Sequence, residues 1–111
     1  TNTITISAGA DIVQATANRL PNSTPFSIDL QNKWVGISEL QMASAPSPLT
    51  LTVSNPRNGG VYTFHFLGVT TNDVVFPANF YNADETSLGT VSFTASDFLT
   101  CYYSGSNFYC K

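Results

Sequence analysis

Hydrophobic and polar residues alternate in several short stretches of the chain, which is the pattern of strands that bury one face. The alternation is clearest at residues 49–53, and it recurs at residues 3–6 and 26–30. No stretch combines helical spacing with strong helix formers, although residues 11–25 allow a single helical turn. Further strands are predicted at residues 35–42, 74–76, 90–95, 98–103 and 107–110.

The segment 61–67 is apolar on both sides of a predicted strand. Tyr62, Phe64 and Phe66 share one face, and the opposite face also carries apolar residues around His65. We therefore expect this strand to be central in its sheet or covered on both sides.

Residues 55–60, with the sequence Asn-Pro-Arg-Asn-Gly-Gly, combine the residue types that favour a tight turn. Proline presets φ, and asparagine and glycine tolerate positive φ. We therefore expect this loop to join the strands at 49–54 and 61–67 as an antiparallel hairpin.

Many short strands without intervening helices indicate an all-β protein. We predict one domain over residues 1–111, folded as an antiparallel β-sandwich or jelly roll of about eight or nine short strands. A small closed barrel is the alternative.

Charge is scarce in this chain. Charged residues make up 10% of it, against roughly 25% in an average soluble domain, and Ser, Thr and Asn take their place. The four Lys and Arg residues are scattered and the net charge is -3, so we expect no nucleic-acid partner. Apolar runs are too short for a spanning helix, so we expect no membrane insertion.

The two cysteines lie opposite each other if a two-residue turn is placed at Gly105 and Ser106. Counting outward from that turn pairs Cys101 with Cys110 at a non-hydrogen-bonded position, where the Cα spacing suits a disulfide. A disulfide would crosslink the two strands of the C-terminal hairpin and would indicate an oxidising environment. The alternative is a reduced pair packed on one face.

Catalytic chemistry has little support in the sequence. His65 is the only histidine, and we interpret it as a half-buried strand residue, because no nucleophile motif accompanies it. The carboxylates are dispersed apart from Asp84 and Glu85, so no acid/base pair is indicated. Residues 82–86 offer oxygen ligands that a surface Ca²⁺ could use, but a plain turn is favoured. We predict no catalytic residue, no metal site and no cofactor.

Exposed tyrosines are the best candidates for a binding surface. On the predicted C-terminal hairpin, Tyr102 and Tyr109 point away from the cysteines. We include Tyr81, a further tyrosine, and Asn107, a polar residue of the same hairpin, as candidates for this surface. Tyrosine combines apolar area with a polar tip, which suits either sugar stacking or a protein interface. The alternative is cross-strand pairing that only stabilises the hairpin.

From residue 49 onward, the order of these short motifs resembles the terminal β-sandwich segments of bacteriophage virion proteins, of the tail, neck or head fibre and spike type. In that family an Asn-containing turn leads to a Gly-x-Tyr strand, then to a Val-x-Phe/Trp-Pro segment, a Gly-bearing loop and a final hairpin. The matching residues here are Asn55, Gly60, Tyr62, Val75, Phe76, Pro77, Phe80, Gly89, Tyr103, Gly105, Asn107 and Phe108. The chain departs from the pattern at Asp84-Glu85 and in its cysteine pair.

This resemblance implies a non-enzymatic structural protein of the virion, an extracellular particle. It implies a capsid-surface, spike or fibre domain with a role in host attachment. The partners expected from it are further copies of the chain, with a homotrimer expected, and other virion proteins. A host-surface glycan is a further candidate partner. The competing class is a carbohydrate-binding module or lectin-like domain of a secreted protein.

Overall fold

A computed structural model describes residues 16–111 of the chain. The described residues form eight strands and no helix: β1 (Thr16–Arg19), β2 (Phe26–Asp29), β3 (Val35–Gln41), β4 (Leu49–Ser54), β5 (Val61–Val75), β6 (Phe80–Asn82), β7 (Thr90–Ser104) and β8 (Asn107–Cys110). The all-β prediction is confirmed. The strand predicted at residues 3–6 and the first part of the segment 11–25 lie outside the described residues, and residues 16–19 of that segment form β1 instead of a helical turn.

The sheets are mixed, which corrects the prediction of an antiparallel sandwich. Hydrogen bonds join the strands in the order β1-β3-β5-β7-β8-β6, while β4 pairs with the end of β5 and β2 pairs with β4. Five of the seven pairings among the described strands are parallel; only β5–β7 and β7–β8 are antiparallel. Alternation predicts which residues of a strand face the core, but it carries no information on the direction of the neighbouring strand.

The expected hairpin between β4 and β5 does not form. β4 meets β5 only at its far end, in parallel, with Leu49 opposite Val74. The first half of β5 already has both edges occupied, by β3 in parallel and by β7 in antiparallel register. A strand has only two edges, so no place remains for β4 beside residues 61–67.

The loop before β5 is instead held by the buried Tyr62. Its hydroxyl donates to the Lys33 carbonyl (2.5 Å) and accepts from the Arg57 backbone amide (2.8 Å).

β5 and β7 are each 15 residues long and form one continuous antiparallel ribbon. The sequence predicts two strands in place of each, separated near residues 68–73 and 96–97. The register shifts twice between Phe66 and Asn72, and Gly68 has a φ of 66°, a backbone conformation that glycine adopts without strain. The strand therefore continues through an irregular stretch where the sequence pattern is interrupted.

The ribbon bends at this irregular stretch. The rings of Phe66 and Phe76 have centroids only 6.5 Å apart, whereas ten residues of straight strand would span about 33 Å. The ring of Phe93, on β7, stacks on Phe66 at 4.1 Å. Both halves of the ribbon therefore contribute to one core.

The core lies on one side of β5, where Tyr62, Phe64 and Phe66 are almost fully buried. The opposite side of β5 is half-exposed along residues 61–67, where Val61 is 42% exposed, so this part of the strand is central in the sheet but covered on one face only. The same core cluster includes Ile28 of β2, Leu51 of β4, Phe80 of β6 and Phe108 of β8.

Candidate functional site

The C-terminal hairpin has the register that the turn position predicts. Cys101 lies opposite Cys110 and Tyr102 opposite Tyr109, and Gly105 in the turn has a φ of 69°. The two cysteines form a disulfide with a Cα–Cα distance of 4.0 Å. The neighbouring residues Thr100 and Lys111 exchange two backbone hydrogen bonds, which makes the cysteine pair a non-hydrogen-bonded one, as expected.

Successive residues of the hairpin point to opposite faces of the sheet, one against the core and one away from it. The cysteines and Phe108 are buried against the core, whereas Tyr102 and Tyr109 point to the other side of the sheet. β6 adds a third tyrosine, because it pairs in parallel with β8 and places Tyr81 next to Tyr109. We call Tyr81, Tyr109 and Tyr102 the tyrosine row.

The rings of the tyrosine row lie side by side. The Tyr81 and Tyr109 centroids are 5.9 Å apart with an interplanar angle of 27°, and the Tyr109 and Tyr102 centroids are 5.4 Å apart with an angle of 32°. The Asn107 amide donates to the Tyr109 hydroxyl at 3.4 Å. All four residues proposed from the sequence as a binding surface are therefore adjacent on one face, and their role in binding stays a prediction.

The row continues into aliphatic residues of the central strands. Val61 lies opposite Tyr102 and Val35 lies opposite Val61, and Ile37 follows on the same side of β3. These four side chains are 41–51% exposed. We call Val35, Ile37, Val61 and Tyr102 the outer face. The aliphatic members were not singled out from the sequence, since Val61 is brought beside Tyr102 by the pairing of β5 with β7, and Val35 and Ile37 are added by the parallel pairing of β3 with β5.

Two depressions adjoin the tyrosine row. An open groove of about 550 Å³ has Tyr102, Tyr109, Val61 and Lys111 among its lining residues. A smaller recess of about 230 Å³ is lined by Tyr81, Glu85, Asn107 and Tyr109. Tyr109 forms part of both. From the sequence, Glu85 was considered for acid/base and Ca²⁺ chemistry and as a departure from the family pattern, but not as part of a binding surface.

The loop that carries Glu85 is an internally bonded turn. The Thr86 hydroxyl donates to the Asp84 carboxylate (2.6 Å) and accepts from the side-chain amide of Asn82 (3.1 Å). The Glu85 amide donates to the Asn82 carbonyl (2.9 Å). These bonds agree with the plain turn favoured from the sequence. In the part of the chain from residue 16 onward, no group of three potential ligands is placed to hold a metal ion.

The hydrogen bonds from the Thr86 hydroxyl and amide hold the pKa of Asp84 below its ordinary value of 3.8. A depressed pKa means that the bonds stabilise the loop above pH 3.8 and that this stabilisation is lost as the pH falls through the lower, folded-state pKa. We expect the Thr86 amide resonance to titrate in NMR spectra with a midpoint below pH 3.8, while resonances of the core stay in place. Asp84→Asn should abolish this titration, and a Thr86 midpoint at or above pH 3.8 would contradict the assignment.

His65 lies on the same side of the sheet, beyond the outer face. Its Nε2 atom is 2.6 Å from the Ser96 hydroxyl, its Nδ1 atom is 3.7 Å from a Glu39 carboxylate oxygen, and its ring stacks on Phe98 at 4.0 Å. The order of groups is that of a hydrolase triad, but the carboxylate is beyond hydrogen-bond length and neither depression includes Ser96. The cluster links β3, β5 and β7, and His65 is a half-buried strand residue as interpreted from the sequence; that it has no catalytic role stays a prediction.

The candidate site is thus a solvent-facing aromatic surface with two depressions, built from strands that are distant in the sequence. Among residues 16–111, no helix is long and apolar enough to span a membrane. Comparison of the chain with protein-family models, with curated proteins and with solved structures gives no match.

Proposed function

We propose that the chain is a structural domain of a bacteriophage virion, of the capsid-surface, spike or fibre type, which acts without catalysis and contributes to host attachment. The family resemblance from residue 49 onward supports this proposal. The observation that carries it is the outer face, where Val35, Ile37, Val61 and Tyr102 leave a contiguous apolar surface open to solvent.

Contiguous apolar surface on a soluble protein commonly marks a site of association. Charged residues, which would keep copies apart, make up only 10% of this chain. We infer that the outer face packs against neighbouring copies or other virion proteins in an extracellular particle. A homotrimer is the expected assembly.

We further propose that the fold is a two-layer β-sandwich held together by the bent ribbon of β5 and β7. Ile28 of β2 and Leu51 of β4 share one core cluster with Phe64 and Phe66, in the first half of β5. β4 pairs with the second half of β5, and β3 pairs with the first half. Because β3 and β4 pair with different halves of β5, they would belong to different layers that share the ribbon.

The test of the assembly proposal is the mass of the chain in solution. We expect sedimentation equilibrium at micromolar concentration to give about three times the subunit mass of 11.9 kDa. Ile37→Lys and Val61→Lys place charges on the outer face and should reduce the mass to that of the monomer. Thr52→Lys, at an exposed position of β4 outside that face, should leave the mass unchanged.

A wild-type chain that sediments cleanly at 11.9 kDa would contradict self-association through this face. Imaging of virions that carry the chain at a vertex, on a facet or along a fibre would test the placement in the particle.

The second candidate function is a carbohydrate-binding module or lectin-like domain of a secreted protein. The recess lined by Tyr81, Glu85, Asn107 and Tyr109 favours it, since aromatic rings next to amide and carboxylate groups suit a sugar. Sugar binding by a stable monomer, with no assembly at any concentration, would favour this alternative over the first.

A further inference from the structure

We propose that the recess lined by Tyr81, Glu85, Asn107 and Tyr109 is a binding subsite for one neutral sugar ring of a glycan. This inference rests on the proposed attachment function and names the ligand class of its candidate site.

The size of the recess limits the ligand. Its volume is about 230 Å³, below the roughly 300 Å³ at which pockets for drug-sized ligands begin. A single small ring fits these dimensions better than a peptide segment or a nucleotide does.

The chemistry of the walls indicates a ring with hydroxyl groups. The exposed lining of the recess is mostly polar: Tyr81 and Tyr109 provide two phenolic hydroxyls and a smaller apolar part of their rings, Asn107 provides an amide, and Glu85 provides a carboxylate. A sugar ring carries several hydroxyls that both donate and accept hydrogen bonds, next to an apolar C–H face. The recess matches chiefly the hydroxyls of such a ring, with limited apolar contact.

The charge of the recess selects against acidic ligands. Glu85 is the only charged residue among its four lining residues, and the whole chain has a net charge of -3. A phosphate, a sulfate or an acidic sugar would meet a carboxylate with no neighbouring cation in the recess. The expected ligand is therefore neutral.

The walls are held in place by contacts within the protein. Tyr109 packs between the rings of Tyr81 and Tyr102 and accepts a hydrogen bond from Asn107. The Glu85 backbone is fixed by its bond to Asn82 and has a φ of 68°. A ligand therefore does not have to order Tyr81, Tyr109 or Asn107, which lowers the entropic cost of binding, whereas the exposed Glu85 side chain is ordered only on binding.

The adjoining groove extends the site beyond one ring. Tyr109 lines both depressions, so in the monomer a second sugar that is linked to the first would lie over the groove beside Tyr102. Self-association through the outer face, which includes Tyr102 and Val61, would cover this groove and leave the recess open. We expect the affinity for a di- or trisaccharide to exceed that for its terminal monosaccharide.

The test uses the whole chain on an array of neutral and acidic glycans, followed by calorimetric titration of the best neutral oligosaccharide. We expect binding to neutral glycans with dissociation constants between about 1 μM and 1 mM. Tyr81→Ala and Glu85→Ala should each weaken binding about tenfold or more, because each removes one wall of the recess. Glu39→Gln changes a carboxylate outside the recess and should leave the affinity unchanged.

Three results would overturn the inference: no neutral glycan bound at millimolar concentration by a chain whose NMR spectrum shows it folded, a preference for acidic glycans, or affinities unchanged in both recess variants. A protein partner that competes for the same surface without sugar would also count against it. The outcome is separable from the assembly proposal, because the monomeric Ile37→Lys variant changes no lining residue of the recess or the groove and should still bind sugar.

Discussion

Replacement of Phe80 by alanine is expected to lower the free energy of unfolding by about 3–5 kcal/mol. Phe80 is fully buried, and its ring lies 4.2 Å from that of Phe108, 5.5 Å from that of Phe76 and 6.3 Å from that of Phe64. Alanine would leave a cavity among rings that belong to three other parts of the chain. Since small domains are stable by only about 5–15 kcal/mol, the variant should be close to unfolding.

Denaturant titration monitored by circular dichroism and by the fluorescence of Trp34, the only tryptophan, measures this effect. Phe98→Ala is the matched control, because it makes the same chemical change at a side chain that is 60% exposed. We expect the control to cost less than about 1.5 kcal/mol, mainly from the lost stacking on His65. Equal losses in both variants would show that Phe80 is not part of the core.

Removal of the disulfide is expected to lower the free energy of unfolding by about 2–3 kcal/mol in the chain-entropy model. The bond joins residues only nine positions apart in the sequence, so the closed loop is small. The loss should be local, since β7 remains paired with β5 after the bond is broken. Amide hydrogens of β8, and of β6 beside it, should exchange faster, while those of β3 and β5 keep their protection.

The Cys101→Ala/Cys110→Ala variant distinguishes the effect of breaking the disulfide from any other effect of the reductant on stability. Reductant should destabilise the wild-type protein and should leave this variant unchanged. Because both sulfur atoms are held in the disulfide and carry no free thiol, we also expect thiol reagents to label neither residue before reduction, even when denaturant exposes them. Labelling of both cysteines in the oxidised folded protein would contradict the pairing.

The C-terminal hairpin could be predicted in residue detail, because a short turn fixes its register. Once Gly105 and Ser106 occupy the turn, every opposite pair back to Cys101 and Cys110 follows by counting. The burial of Tyr62, Phe64 and Phe66 on one face of β5 could also be predicted, because alternation depends on the strand alone.

The neighbours of most strands could not be predicted. β3 and β5 are parallel with Val35 opposite Val61, and a parallel pairing has no tight turn that marks it in the sequence. The interruption near Gly68 indicated two strands, but bulges let one strand pass through it.

The residues of the candidate site fall into the same two groups: those placed by the local register of the hairpin and those placed by a non-local strand pairing. Tyr102, Tyr109 and Asn107 belong to the hairpin, so their proximity followed from its register. Tyr81 was proposed for its chemical type, and its position depends on the non-local pairing of β6 with β8. Glu85 joins the recess only through that pairing, so its place there could not be inferred from spacing.

The parallel pairing of β6 with β8 also sets an order of events during synthesis. β6 spans residues 80–82, but its neighbour in the sheet spans residues 107–110. Tyr81 and Glu85 leave the ribosome well before the strand that brings them to Tyr109. A nascent or truncated chain that lacks residues 107–110 would lack two of the four lining residues of the recess, so only chains translated through β8 can display this proposed binding site.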